Sequence, residues 1–272
     1  MKISFEWGNQ TWKFDTEAGI DISIPLEFNG AQPNTYGVPK ATAQAYRDGS
    51  FVGDTREGGG CNFETYTLTP HCNGTHTEGI GHLTRERIPV SLPANQSFLP
   101  ACLISIKPCL PENSSDTYTP QFQAHDLLIT REAIEQALNS IAGWQNCAAI
   151  IIRTLPNLPS KKSRDYMQEA PAFFTHEAMH FLASQAFSHL LTDIPSLDRL
   201  FDEGLLSNHH IWWNLVSPNA PIQESHALRT VTEMIFAPNE VVDGLYVLNL
   251  QIAPFLGDAT PSRPLVFPIL PV

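Results

Sequence analysis

Residues 71–82 read HCNGTHTEGIGH, three imidazoles and one carboxylate in a chain that has ten histidines in all. An extended backbone through 76–78 puts His76 and Glu78 on one face. Imidazole beside carboxylate is a donor pair that suits zinc, manganese or iron. Glu78 has two oxygens and is able to bridge two ions. Glycines at 74, 79 and 81 let the chain turn sharply, so that His82 returns to the same pocket. A histidine beside a metal but not on it is suited to carrying a proton, because its pKa lies near neutrality.

One loop does not complete a metal site. Further donors stand at His209 and His210 in SNHHIWW and at Glu233 in VTEMIF. A carboxylate among Val, Met, Ile and Phe is costly to bury unless paired or metal-bound. An exposed edge-strand face is the other reading of Glu233, and a locally satisfied helix-end histidine the other reading of the 209–210 pair. Residues His176, Glu177 and His180 satisfy HExxH, the zincin pattern, although no third ligand stands out. Cys72 is open as nucleophile, ligand or plain packing. There is no GxSxG.

The elements that must hold these residues are short. Apolar runs broken by Gly, Pro and Asn (IDISIPL, NFETYTLTP, ERIPVSLP, ACLISIKP) read as strands. TREAIEQALNSIAG and THEAMHFLASQA read as helices capped by Thr130 and Thr175. CAAIIIRTL is a fully buried strand. HLLTDIPSLD opens as a strand, and TVTEMIF and GLYVLNLQIAPF are late strands. The expectation is one α/β domain over residues 1–272 around a mixed sheet. Net charge −12, with no basic run, argues against nucleic acid or an anionic membrane as partner. The polar start MKISFEWGNQTWKFD is unlike a signal peptide, and no apolar stretch approaches the roughly 18 residues of a membrane span. Five cysteines without a CxxC pair read as free thiols in a reducing compartment, so a cytoplasmic protein is expected.

TLTPHCNGTHTEGIGH resembles the H-x-G-T/A-H-x-D-x-P-x-H hallmark of the cyclase family of metal-dependent hydrolases, which includes bacterial kynurenine formamidase and isatin hydrolase. The resemblance runs on through DISIPL, TDIPSLD, NHHIWW and the tail VDGLYVLNLQIAPFLGDATPSRPLVF, in family order. It implies a barrel-like mixed sheet with flanking helices, of the swivelling β/β/α type. It implies one or two divalent ions, Zn or Mn, on His71, His76, Glu78, His209 and Glu233, with His82 as proton donor and acceptor. His210 is the alternative to His209. Asn73 adds a residue before His76, so either a bulge keeps His71 as ligand or Cys72 replaces it. Glu78 stands where the family has Asp, and Ile80 where it has Pro. The implied reaction is hydrolysis of an amide or cyclic amide C–N bond of a small molecule by metal-activated water, with His82 and Glu78 at its centre. Tyr36, Trp212 and Trp213 either line the substrate pocket or pack in the core. A homodimer or higher homo-oligomer is implied as well. The competing functions are a non-catalytic metal- or ligand-binding protein on the same fold, and an HExxH peptidase.

Overall fold

The strand Ala149–Thr154 is buried along its whole length, as a run of Ala and Ile without alternation requires when both faces of a sheet are covered. It lies at the centre of a mixed, strongly curled half-barrel sheet of nine strands. The computed structural model describes residues 1–272, the side chain of Ala94 aside. From one edge the strands run Ala259–Pro261, His76–Glu78, Thr230–Glu233, His189–Thr192, Ala149–Thr154, Phe98–Ile106, Gly244–Asn249, Leu265–Pro268 and Ile20–Asp21. The four from Phe98–Ile106 to Thr230–Glu233 are parallel. The flanking strands on both sides are antiparallel.

Side-chain alternation splits the core in two. Cys102, Ile104, Ile150, Ile152 and Leu190 face the helices Arg131–Asn139 and His176–Ser184. Ala101, Leu103, Ile151 and Leu191 face inward with Ile22, Tyr246 and Val266. Both helices begin as their caps require: the Thr130 hydroxyl accepts from Ala133 N at 3.3 Å and that of Thr175 from Ala178 N at 3.2 Å. Among the described residues no helix is long and apolar enough to cross a membrane.

Several expected strands shrink or fail. IDISIPL pairs only at Ile20–Asp21, and ERIPVSLP forms none. Pro89 and Pro93 bring no N–H to a ladder, and Val90 N reaches a loop carbonyl, Gly257 O, at 2.8 Å. TVTEMIF stops at Glu233 because Met234 turns into the left-handed region, at φ 53°.

Candidate metal centre

Three chain segments put their histidines on one spot. His76 and Glu78 lie on a strand held between Thr230–Glu233 and Ala259–Pro261. The register pairs His76 with Glu233, so the two side chains stand opposite each other on the face that Glu78 shares. Glu233 ends its parallel strand, where open α/β sheets carry their sites. His71 sits in the single turn Pro70–Asn73, where the Asn73 Oδ1 accepts from Thr69 N at 2.7 Å and closes the turn. His82 ends the 3-10 turn Ile80–His82. Gly81 is needed there because a Cβ would meet Ile88 O at 2.0 Å. His209 enters from the helix Ser207–Trp213.

All six expected site residues converge. His71 Nδ1 lies 2.9 Å from Glu78 Oε2, and His82 Nε2 lies 3.9 Å from the same oxygen. His209 Nε2 lies 3.1 Å from Glu78 Oε1 and 3.7 Å from Glu233 Oε1, and His76 Nε2 lies 3.5 Å from Glu233 Oε2. Donors bound tetrahedrally at about 2.0–2.2 Å stand roughly 3.3–3.6 Å from one another, and these gaps, from 2.9 to 3.9 Å, bracket that spacing. The opposite nitrogen of each candidate ligand is anchored from behind. His71 Nε2 meets Asp258 Oδ2 at 3.0 Å, His76 Nδ1 meets Gly74 O at 3.0 Å, and His209 Nδ1 meets Asp198 Oδ2 at 2.6 Å. Such backing fixes ring orientation in metal sites. His76 Nε2 and Glu78 Oε1 are buried without a hydrogen bond, and a bound cation would satisfy both. On these observations the donor set fits a divalent metal.

Charge in the pocket is dominated by carboxylates. Burial alone would raise the Glu78 carboxyl, but His82, His209 and His71 hold it well below its ordinary value. Burial opposes charging of His209, yet Asp198, Glu233 and Glu78 raise it well above the usual imidazole range. His71 is likewise pushed up to about 10, against its burial, by Asp258 and Glu78. Glu233 is steadied by Leu197 N at 3.1 Å.

The alternative residues lie in different surroundings. His71 faces Glu78, while Cys72 is buried beside it, its thiol pushed up to about 11 by burial and by the Glu233 charge. His210 turns away, its Nδ1 on the Leu215 carbonyl. The HExxH residues are engaged elsewhere: His176 Nε2 meets Ser207 Oγ at 2.9 Å, and Glu177 accepts from Thr117 N at 2.6 Å and from its hydroxyl at 2.7 Å. Trp212 and Trp213 belong to the core, with Trp213 stacked on His209 at 5.9 Å. Tyr36 instead keeps part of its side chain exposed, in the left-handed region at φ 54°, and its hydroxyl is pushed up to about 12 by burial and by the Glu233 charge. Sequence reasoning missed Asp198 and Asp258. The first ends TDIPSLD, nine to eleven residues before Ser207, Asn208 and His209, and the second lies in FLGDATPSR, far along the chain from its histidines.

Fold and centre together define an α/β protein with a histidine–carboxylate cluster at the end of its parallel strands. The family model described as "Putative cyclase" matches residues 20–199, and the chain belongs to this cyclase family. No curated protein matches the chain in sequence. Among solved structures, it is similar to a predicted metal-dependent hydrolase from Bacillus stearothermophilus, at 17% identity and TM-score 0.58, over 92% of this chain and 97% of that one. It is similar to isatin hydrolase A from Labrenzia aggregata bound to benzyl benzoate, at 15% identity and TM-score 0.62, over 92% and 93%. An isatin hydrolase bound to the product analogue thioisatinate aligns at 14% identity and TM-score 0.59, over 93% and 92%.

Proposed function

We propose that the chain is a metal-dependent hydrolase that cleaves an amide or cyclic amide C–N bond of a small molecule. In this reading His71, His76, Glu78, His209 and Glu233 hold one or two divalent ions, zinc or manganese. The observation that carries it is the paired anchoring of the three ligand histidines, each with one nitrogen tied outward and the other aimed at Glu78 or Glu233. A bound divalent cation supplies Lewis acidity towards a carbonyl and lowers the pKa of water towards about 7.

The protein's own residues do the rest. His82 has no place in that ligand set, and its side chain is a quarter exposed (25%), so a substrate can reach it. It takes a proton from the attacking water and returns it to the leaving nitrogen. Glu78 holds ligands on both sides through its two oxygens. The isatin hydrolases among the structural neighbours, one of them bound to the product analogue thioisatinate, support a planar cyclic amide as the first substrate class to test. A cytoplasmic homodimer or higher homo-oligomer, without nucleic acid or membrane partners, belongs to the same proposal.

The test is a panel of isatin, cyclic imides and N-formyl aryl amides, offered to zinc- or manganese-loaded protein and to protein stripped by a chelator. Turnover is expected only in the loaded forms and returns on adding metal back. Equal turnover in stripped protein, or none in any loaded form, refutes the proposal.

A further inference from the structure

Asp258 immediately precedes the edge strand Ala259–Pro261, which pairs Ala259 with Glu78. Gly79 N donates to its carbonyl at 2.9 Å. That register leaves the side chain over His71 and His82. A single oxygen, Oδ2, lies 3.0 Å from His71 Nε2 and 3.4 Å from His82 Nδ1. The two rings lie side by side, 4.4 Å between centroids. Their other nitrogens both face Glu78 Oε2, at 2.9 and 3.9 Å. Two imidazoles thus span the same pair of carboxylate oxygens.

We propose that Asp258 is the positioning carboxylate that fixes the tautomers of His71 and His82 together. This rests on the hydrolase reading for its chemistry, although its geometry stands apart from it. An ionised carboxylate only accepts. Both ring nitrogens that face it must therefore carry hydrogen. That leaves the His71 Nδ1 lone pair for a metal and the His82 Nε2 lone pair for a proton. One side chain so couples a ligand to the proton carrier, and its loss harms both.

The experiment compares wild type with Asp258→Asn and Asp258→Glu, using zinc as the probe. The half-exposed side chain makes misfolding of Asp258→Asn unexpected, and the backbone amide spectrum checks it. Zinc affinity should fall about 10–100-fold in Asp258→Asn and recover in part in Asp258→Glu. Ring ¹⁵N spectra, read with and without zinc, should show His82 protonated at Nδ1 in wild type and mixed between tautomers in Asp258→Asn. On any substrate the wild type turns over, kcat should fall more than KM. Zinc affinity within about twofold of wild type, with unchanged ring nitrogens at 71 and 82, overturns the proposal. If the wild type turns over no substrate of the panel, the hydrolase reading fails, while zinc affinity and ring nitrogens still decide the role of Asp258.

Discussion

Asp198→Asn is the sharpest test of how the centre is held. Asp198 is fully buried and accepts five hydrogen bonds. Oδ1 takes Tyr118 Oη and Asn208 N at 2.8 Å each and Ser207 Oγ at 3.4 Å, and Oδ2 takes His209 Nδ1 at 2.6 Å and His209 N at 3.2 Å. An amide has one oxygen. Placed at Oδ2, it strands Asn208 N–H against an NH₂ group. Placed at Oδ1, it sets an NH₂ group against His209 N–H and Nδ1, so Nδ1 must give up its hydrogen and Nε2, the atom that faces Glu78, keeps one. A stranded buried donor costs about 1–3 kcal/mol, and exchanging the charged acceptor for a neutral one costs roughly 1 kcal/mol more. Urea unfolding of the metal-free variant should therefore show a loss of about 2–4 kcal/mol. Zinc affinity, from competition with a chromophoric chelator, should drop about 10–100-fold. Tyr118→Phe is the control: it removes a donor from the opposite oxygen and leaves His209 alone, so it should cost stability and spare zinc affinity. If both variants weaken zinc equally, or Asp198→Asn leaves it unchanged, Asp198 does not set the His209 ring.

The remaining perturbations address proton transfer, acid stability and metal linkage. His82→Ala should retain zinc and lose about 10²–10⁴-fold in rate on a substrate the wild type accepts, and loss of zinc with the rate would place His82 among the ligands. His189 is fully buried, with Nδ1 2.8 Å from the Thr230 hydroxyl and Nε2 without a partner, and burial pushes it down to about 4. The unfolded chain takes up that proton near pH 6.5 and the folded chain only near 4, so this stability is complete above 6.5 and lost as pH falls. Between pH 7 and 5 it accounts for about 2 kcal/mol, and His189→Gln should flatten the urea-measured decline by that amount; an unaltered slope refutes the assignment. Zinc at a hundredfold excess over its Kd should stabilise by about 2.7 kcal/mol, a Tm rise of about 5 °C for a chain of this size in scanning calorimetry.

Much of the fold follows from local chemistry. A run of isoleucines needs two covered faces, and threonines ahead of apolar periodicity cap helices, so the sheet centre and both nine-residue helices are legible. The alternation of His76 with Glu78 is legible for the same reason. Segments such as ERIPVSLP are apolar enough to read as strands, but their prolines cannot pair, and the pattern of hydrophobicity does not weigh a missing N–H. Asp198 and Asp258 were illegible for another reason. Asp258 meets His82 across 176 residues and His71 across 187. Nothing local distinguishes such an acid from any surface acid; only the pairing of the last edge strand with His76–Glu78 brings it in.

The groups that hold Glu78 ionised are histidines, and this makes a prediction about what the centre costs. A buried carboxylate paired with arginine leaves a stranded charge when it is removed, which is strongly destabilising. Histidines behave differently, because Glu78 is itself among the carboxylates that raise His71 and His209, so removing it lets them give up protons more easily. Glu78→Gln at pH 8 should therefore cost the metal-free protein little stability, since the desolvated carboxylate disappears together with part of what keeps its histidine partners charged. The same variant should lose the Tm rise on zinc, because the oxygens between His71 and His209 are replaced by a neutral amide. Calorimetry with and without zinc separates the two effects. A metal-free protein weakened by more than about 3 kcal/mol that still gains stability from zinc would mean that Glu78 is a structural ion-pair partner. Little-changed metal-free stability with no response to zinc would mean that the carboxylate is kept for the cation it awaits.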